Sequence, residues 1–251
     1  MTCLGIPIPG CVRELLLEPP ICFPVGEDAK LLDLIKQFSR ELKRPEDEIK
    51  QACNLASSLS DLIVILERPR AGQKYDVAFN QFVRECATLK ALDELIRFGS
   101  KGARSIHTVT VLDAFSFTLN KSDSKIAPRC HQLIEEILKL KKPRVIVCCW
   151  SGQCDNEFVS RFKSQGVGIW PLRDRAEIGT SSATLVRSFH PSTVIHFRKR
   201  SPYSQVLLVC YFVLAFAELS ASKEHPGWIK EACYESSKLV PPASSTADPK
   251  R

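Results

Sequence analysis

Four short segments of the chain carry residues suited to bond cleavage. Glu67-Arg68-Pro69-Arg70 follows an apolar run at 62–66, and Asp113-Ala114-Phe115 follows another at 108–112. Trp150-Ser151-Gly152 closes a run at 145–150, and His190-Pro191-Ser192 follows a weaker one at 183–189. Two carboxylates, a glycine-containing turn and a histidine held by the next proline can supply an acid, a base and a hydrogen-bond donor. Each has a plainer alternative. Asp and Ser after strands commonly cap helices, and a lone histidine is often satisfied within its own loop. The segments make a site only if the fold gathers them.

The apolar runs have the form that would gather them. Leu62-Ile63-Val64-Ile65-Leu66 is continuous and rich in β-branched residues, as in strands buried on both faces of a parallel sheet. The run at 108–112 comes after a helical stretch at 77–98, the one at 145–150 after 130–140, and the one at 183–189 after a helix near 156–163. Alternating strand and helix predicts a short, mainly parallel four-stranded sheet with helices on both faces. Right-handed crossovers then leave every strand's carboxyl end on one edge, where open α/β sheets bind ligands. Upstream, Leu31, Leu32, Leu34, Ile35 and Phe38 form a helical stripe, and Pro45-Glu46-Asp47-Glu48 reads as the acidic first turn of a second helix. The apolar run at 206–217 is too short for a bilayer and predicts a buried helix.

The whole chain sets wider bounds. With 251 residues, 44% of them hydrophobic and 25% charged, it can bury one sizeable core. The expected organisation is an N-terminal arm at 1–26 rich in Pro and Gly, one domain at 27–222, and a C-terminal tail at 223–251, partly disordered, that ends in LVPPASSTADPKR. The 35 Lys and Arg exceed the 28 Asp and Glu by seven, an excess that suits a polyanion. Eleven scattered cysteines without a C-x-x-C pair predict buried thiols, no metal and no cofactor. Reduced cysteines and a start without a secretory pattern predict an intracellular protein, nuclear or cytoplasmic, with no membrane association.

In this order the motifs resemble the uracil-DNA glycosylase superfamily. CHQLIEEILKLKKPRVIVCCWSG, 130–152, is similar to the helix and strand before that family's L-W-G segment; FHPSTV, 189–194, resembles its H-P-S leaving-group loop. LIVILERPR, 62–70, stands where the family has its water-activating loop, usually G-Q-D-P or G-E-A-P. The resemblance covers about 60–220 and implies a three-layer α/β/α domain acting on single-stranded or damaged duplex DNA in base-excision repair. It implies that His190 donates to the departing base's carbonyl oxygen, and that Phe79 stacks on a flipped base. Ser192 would grip a phosphate, with Arg198, Lys199 and Arg200 adding phosphate contacts. The family's iron-sulfur branch has a cysteine near Cys130, but its other ligands are missing here.

Two departures from the family bear on activity. With Pro69 aligned, Glu67 stands at the family's Gln or Glu position and could orient water or stabilise an oxocarbenium-like sugar. Arg68 then stands where the most active members have Asp, and opposes Glu67. Asp113 replaces an Asn that donates to O4 of uracil and accepts from N3–H. An ionised Asp only accepts, so uracil should be a poor substrate and a base with an exocyclic amine a better one. The expected function is hydrolysis of the N-glycosidic bond of a flipped modified base. The alternative is a catalytically inactive glycosylase fold that binds nucleic acid or protein. A nucleotide-handling α/β enzyme has less support, because no Gly-rich phosphate loop follows any strand.

Overall fold

The computed structural model describes residues 29–69, 72–114, 126–150, 173–197 and 202–220. The expected arm and tail, the helix near 156–163, Ser151-Gly152 and the basic triplet Arg198-Lys199-Arg200 lie outside them.

The described chain is an α/β protein built on one five-stranded, mostly parallel sheet in the order β2-β1-β3-β5-β4. Strand β1 is Leu62–Leu66, β2 Thr110–Asp113, β3 Val145–Cys148, β4 Arg173–Ile178 and β5 Ser181–Arg187. The four expected strands are present, side by side and parallel, with Val64 opposite both Val111 and Val147 and Val147 opposite Val186. The expected count of four is corrected by β4, which pairs antiparallel with β5 at the sheet's edge. Its sequence, RDRAEI, reads as polar because it is an edge strand, with Ala176 and Ile178 buried and Asp174, Arg175 and Glu177 exposed.

The α-helices among the described residues are α1 Ala29–Glu41, α2 Glu46–Ala56, α3 Phe79–Glu85, α4 Ala87–Gly99, α5 Ala127–Lys141 and α6 Pro202–Leu219. They pack on both faces of the sheet and build two cores. Leu62, Val64, Val147 and Val186 face a cluster completed by α3, α4 and α6, whereas Ile63, Ile65, Ile146 and Leu185 face α1 and α5. The single helix expected at 77–98 is two, because Cys86 adopts an extended conformation (φ −91°, ψ 108°) between α3 and α4. Helix α5 ends at Lys142, which is left-handed (φ 48°), and Pro143 then blocks continuation. Helix α6 is apolar all round and packs so closely on α4 that a Cβ on Gly99 would lie 2.9 Å from the Phe212 carbonyl. Among the described residues, no helix is long and apolar enough to cross a membrane.

The strand order reverses about β1, whose neighbours β2 and β3 take the chain to opposite sides. Such a switch opens a crevice between diverging loops at the carboxyl edge. The ladder runs one residue past the strands there. Ala114 N–H donates to Leu66 C=O, Cys149 N–H to Ile65 C=O and Ser188 N–H to Cys148 C=O, each at 2.8 Å. The loop starts are thereby held in register.

Candidate functional site

At that edge lies a cleft of about 560 Å³. Glu67, Arg68 and Pro69 reach it from the loop after β1, Asp113 from the end of β2, and His190 and Ser192 from the loop after β5. Six of the expected site residues therefore meet in one place. Trp150 does not join them: it is fully buried in the core, its ring 5.3 Å from that of His131. Phe79 begins α3 and packs on the core, stacked with Phe82 at 6.3 Å and edge-on to His107 at 5.1 Å. The aromatic residues lining the cleft are Tyr75 and Phe82.

His190 is fixed from below and from the side. Phe189 is buried with its ring 5.7 Å from Tyr211 of α6, and Pro191 starts a helical turn that continues through Thr193–Phe197. Ser192 N–H donates to His190 Nδ1 at 3.2 Å, and Ser192 Oγ lies 2.6 Å from the same nitrogen. Nδ1 is therefore an acceptor and the neutral ring carries its proton on Nε2. Burial, with a smaller contribution from His196, brings the imidazole down to about 4, so the ring is neutral at pH 7. Its Nε2 is buried and has no hydrogen-bond partner among the described residues. Leaving such a donor unsatisfied costs about 1 to 3 kcal/mol, which an acceptor on a ligand would relieve. Both Ser192 contacts fall on Nδ1, so in this conformation the residue orients the ring.

Glu67 and Arg68 pair with each other, Nη2 to Oε1 at 3.3 Å. Both are substantially exposed (35% and 46%), so the pair contributes well under about 1 kcal/mol. Asp113 is partly buried. It also borders a small apolar cavity lined by Leu55, Val111, Leu133 and Ile137, and burial pushes its carboxyl up to about 7.

The cleft has a further wall that the motifs do not signal. Glu48, Gln51, Ala52 and Leu55, at helical spacing along α2, all line it. Glu48 is buried, and Arg44 donates to its Oε2 at 2.7 Å through Nη2 and 2.9 Å through Nε, while Oε1 is unpartnered. Gln51 Nε2 donates to the carbonyls of Tyr75 at 3.0 Å and Val77 at 2.7 Å, tying the segment before α3 to α2. Gln73, on that segment, also lines the cleft with its Nε2 buried and unpartnered. The only trace of this in the sequence is Gln51, a polar residue among Ile49, Ala52 and Cys53 in an otherwise apolar stripe.

The six described cysteines are reduced and buried, and burial pushes the Cys148 thiol up to about 12. Among the described residues no group of His, Cys, Asp and Glu is arranged to hold a metal ion. The chain matches no family model, and no curated protein matches it.

Proposed function

We propose that the protein is a diverged member of the uracil-DNA glycosylase superfamily that binds DNA and hydrolyses the N-glycosidic bond of a flipped modified base. The observation that carries the reading is His190: a neutral ring with a fixed tautomer, whose Nε2–H is a desolvated donor with no partner among the described residues. Cleavage of an N-glycosidic bond leaves negative charge on the departing base, and a preorganised donor at its carbonyl oxygen stabilises that charge as it forms. A neutral donor suits this task because it need not lose a proton to the leaving group.

The rest of the cleft supports the same chemistry. Glu67 follows β1, two strands from β5 in the sheet but lining the same cleft as His190, where a carboxylate can orient water and stabilise an oxocarbenium-like sugar. Asp113 reads the base edge. Tyr75 and Phe82 offer aromatic surface to a flipped base, worth roughly 1 to 3 kcal/mol where stacking is complete. Flipping delivers the base from the stack into a pocket of this kind. The parallel strands β2-β1-β3-β5, with helices on both faces, agree with the three-layer α/β/α arrangement of that superfamily.

A second reading rests on the Glu67–Arg68 ion pair. If Arg68 keeps the carboxylate from water, the protein is an inactive glycosylase fold that binds nucleic acid or protein. The two readings separate in a screen of the purified protein against single-stranded oligonucleotides, each carrying one modified base and scored for abasic sites. Abasic sites on one or more bases support hydrolysis. DNA binding without abasic sites supports the second reading in its nucleic-acid form, and absence of both removes hydrolysis and leaves the protein-binding form.

A further inference from the structure

Asp113 stands apart from the other acids of the cleft. Glu67 has Arg68 at 3.3 Å and Glu48 has Arg44 at 2.7 Å, whereas Asp113 makes no side-chain hydrogen bond or ion pair among the described residues. Its register partner is Leu66, and the cavity behind it is lined by Ile35, Leu55, Val111, Leu133 and Ile137. The charged and titratable groups sharing its cleft are Glu48 on α2, Glu67 and Arg68 after β1, and His190 and His196 after β5, with Tyr75 and Cys86 beyond them. Burial is the dominant influence on Asp113, and none of those groups offsets it.

A carboxyl set against an apolar cavity, with no ion-pair partner among the described residues, favours its neutral form, and a neutral carboxylic acid has a different hydrogen-bonding face from a carboxylate. It presents a C=O acceptor beside an O–H donor, the same pair that an Asn amide presents. Resting on the base-pocket reading above, we propose that Asp113 recognises its base as a neutral acid, so that the site accepts a uracil-type edge when protonated and loses it on ionisation. The acid O–H donates to O4 and its C=O accepts from N3–H. The carboxylate keeps the second contact and turns the first into repulsion between two acceptors. The expectation that Asp113 rejects uracil thus holds only on the alkaline side of its titration.

Because only the protonated fraction is competent, uracil preference should fall as that fraction falls. A carboxyl titrating near 7 gives a loss of about 30-fold between pH 6 and pH 8.5. The test measures binding of the full chain to a single strand bearing uracil on a 2′-fluorinated sugar, which resists cleavage, relative to the same strand with an abasic analogue. Wild type should lose its preference across that range, while Asp113→Asn, which keeps His190 and His196, should hold a constant one. Parallel curves for the two proteins, or a flat wild type beside a uracil-preferring Asp113→Asn, overturn the inference and leave the base pocket standing. Absence of any preference in both proteins at every pH overturns the pocket reading and the inference with it. Independently of DNA, the carboxyl ¹³C shift of Asp113 in the free protein should titrate near 7, and a midpoint below about 5 overturns the inference.

Discussion

Ser192 holds His190 in a single tautomer: its backbone N–H donates to Nδ1 at 3.2 Å, and its hydroxyl oxygen lies 2.6 Å from the same nitrogen. Because a backbone N–H can only donate, the imidazole proton is left on Nε2. ¹⁵N shifts of the ring should report an Nε2–H tautomer from pH 8 down to about 5, with protonation only as pH approaches 4. An Nδ1–H tautomer, or a midpoint near the ordinary value of about 6.5, would contradict this geometry.

The same titration affects stability. The folded-state value of His190, about 4, lies below the unfolded one, so folding excludes a proton. That contribution is complete above about pH 6.5 and is lost as pH falls towards 4, an effect on the order of 3 kcal/mol. Denaturant unfolding of wild type should weaken over that window, and His190→Gln should weaken less. Equal losses in both proteins would assign the acid sensitivity to other groups.

The parts of the fold that were legible in the sequence are those where burial leaves no ambiguity. LIVIL at 62–66 is buried at every position and reads as a parallel strand; RDRAEI at 173–178 buries only Ala176 and Ile178 of its described side chains and does not. The apolar stretch at 77–98 reads as one helix because its break at Cys86 depends on backbone geometry, which an apolar pattern does not encode. In the site, Glu67, Asp113 and His190 were readable because each ends or follows an apolar strand. Glu48, Gln73 and Tyr75 reach the cleft through the packing of α2 and of the segment that Gln51 ties down, and no local signal carries that.

Gln51 should therefore matter to the cleft without touching the chemistry. Gln51→Ala leaves the Tyr75 and Val77 carbonyls without its amide, at a cost of about 1 to 3 kcal/mol. Amide hydrogen exchange should rise at 73–78 more than in α6. Unchanged exchange at 73–78 would show that other contacts hold the segment.

Gly99 is required by the approach of α4 to α6. An added methyl meets Phe212 C and O and Phe216 Cδ2, each at 2.9 Å, and backbone atoms cannot yield as a side-chain tip can. Gly99→Ala gains about 1 kcal/mol of helix propensity, yet overpacking costs about 1 to 3 kcal/mol, so the net effect should be a lower Tm. A raised Tm would show that the helices separate freely.

Arg68 discriminates between the two functional readings. Because its pair with Glu67 is exposed and weak, Arg68→Gln should leave the fold unchanged and raise abasic-site formation several-fold if Arg68 competes with water for the carboxylate. An unaltered rate would show that Glu67 acts without interference from Arg68 or does not act at all.

The most direct test of the account is the rate of abasic-site formation by wild type and by His190→Ala on the best base found in the screen, with DNA affinity measured alongside. Removal of one preorganised donor to the departing base should slow cleavage about 10²- to 10³-fold while leaving affinity and the folded state near wild type. Equal rates in the two proteins, or no cleavage of any base by wild type, would contradict the assignment of His190 as the group that stabilises the leaving base.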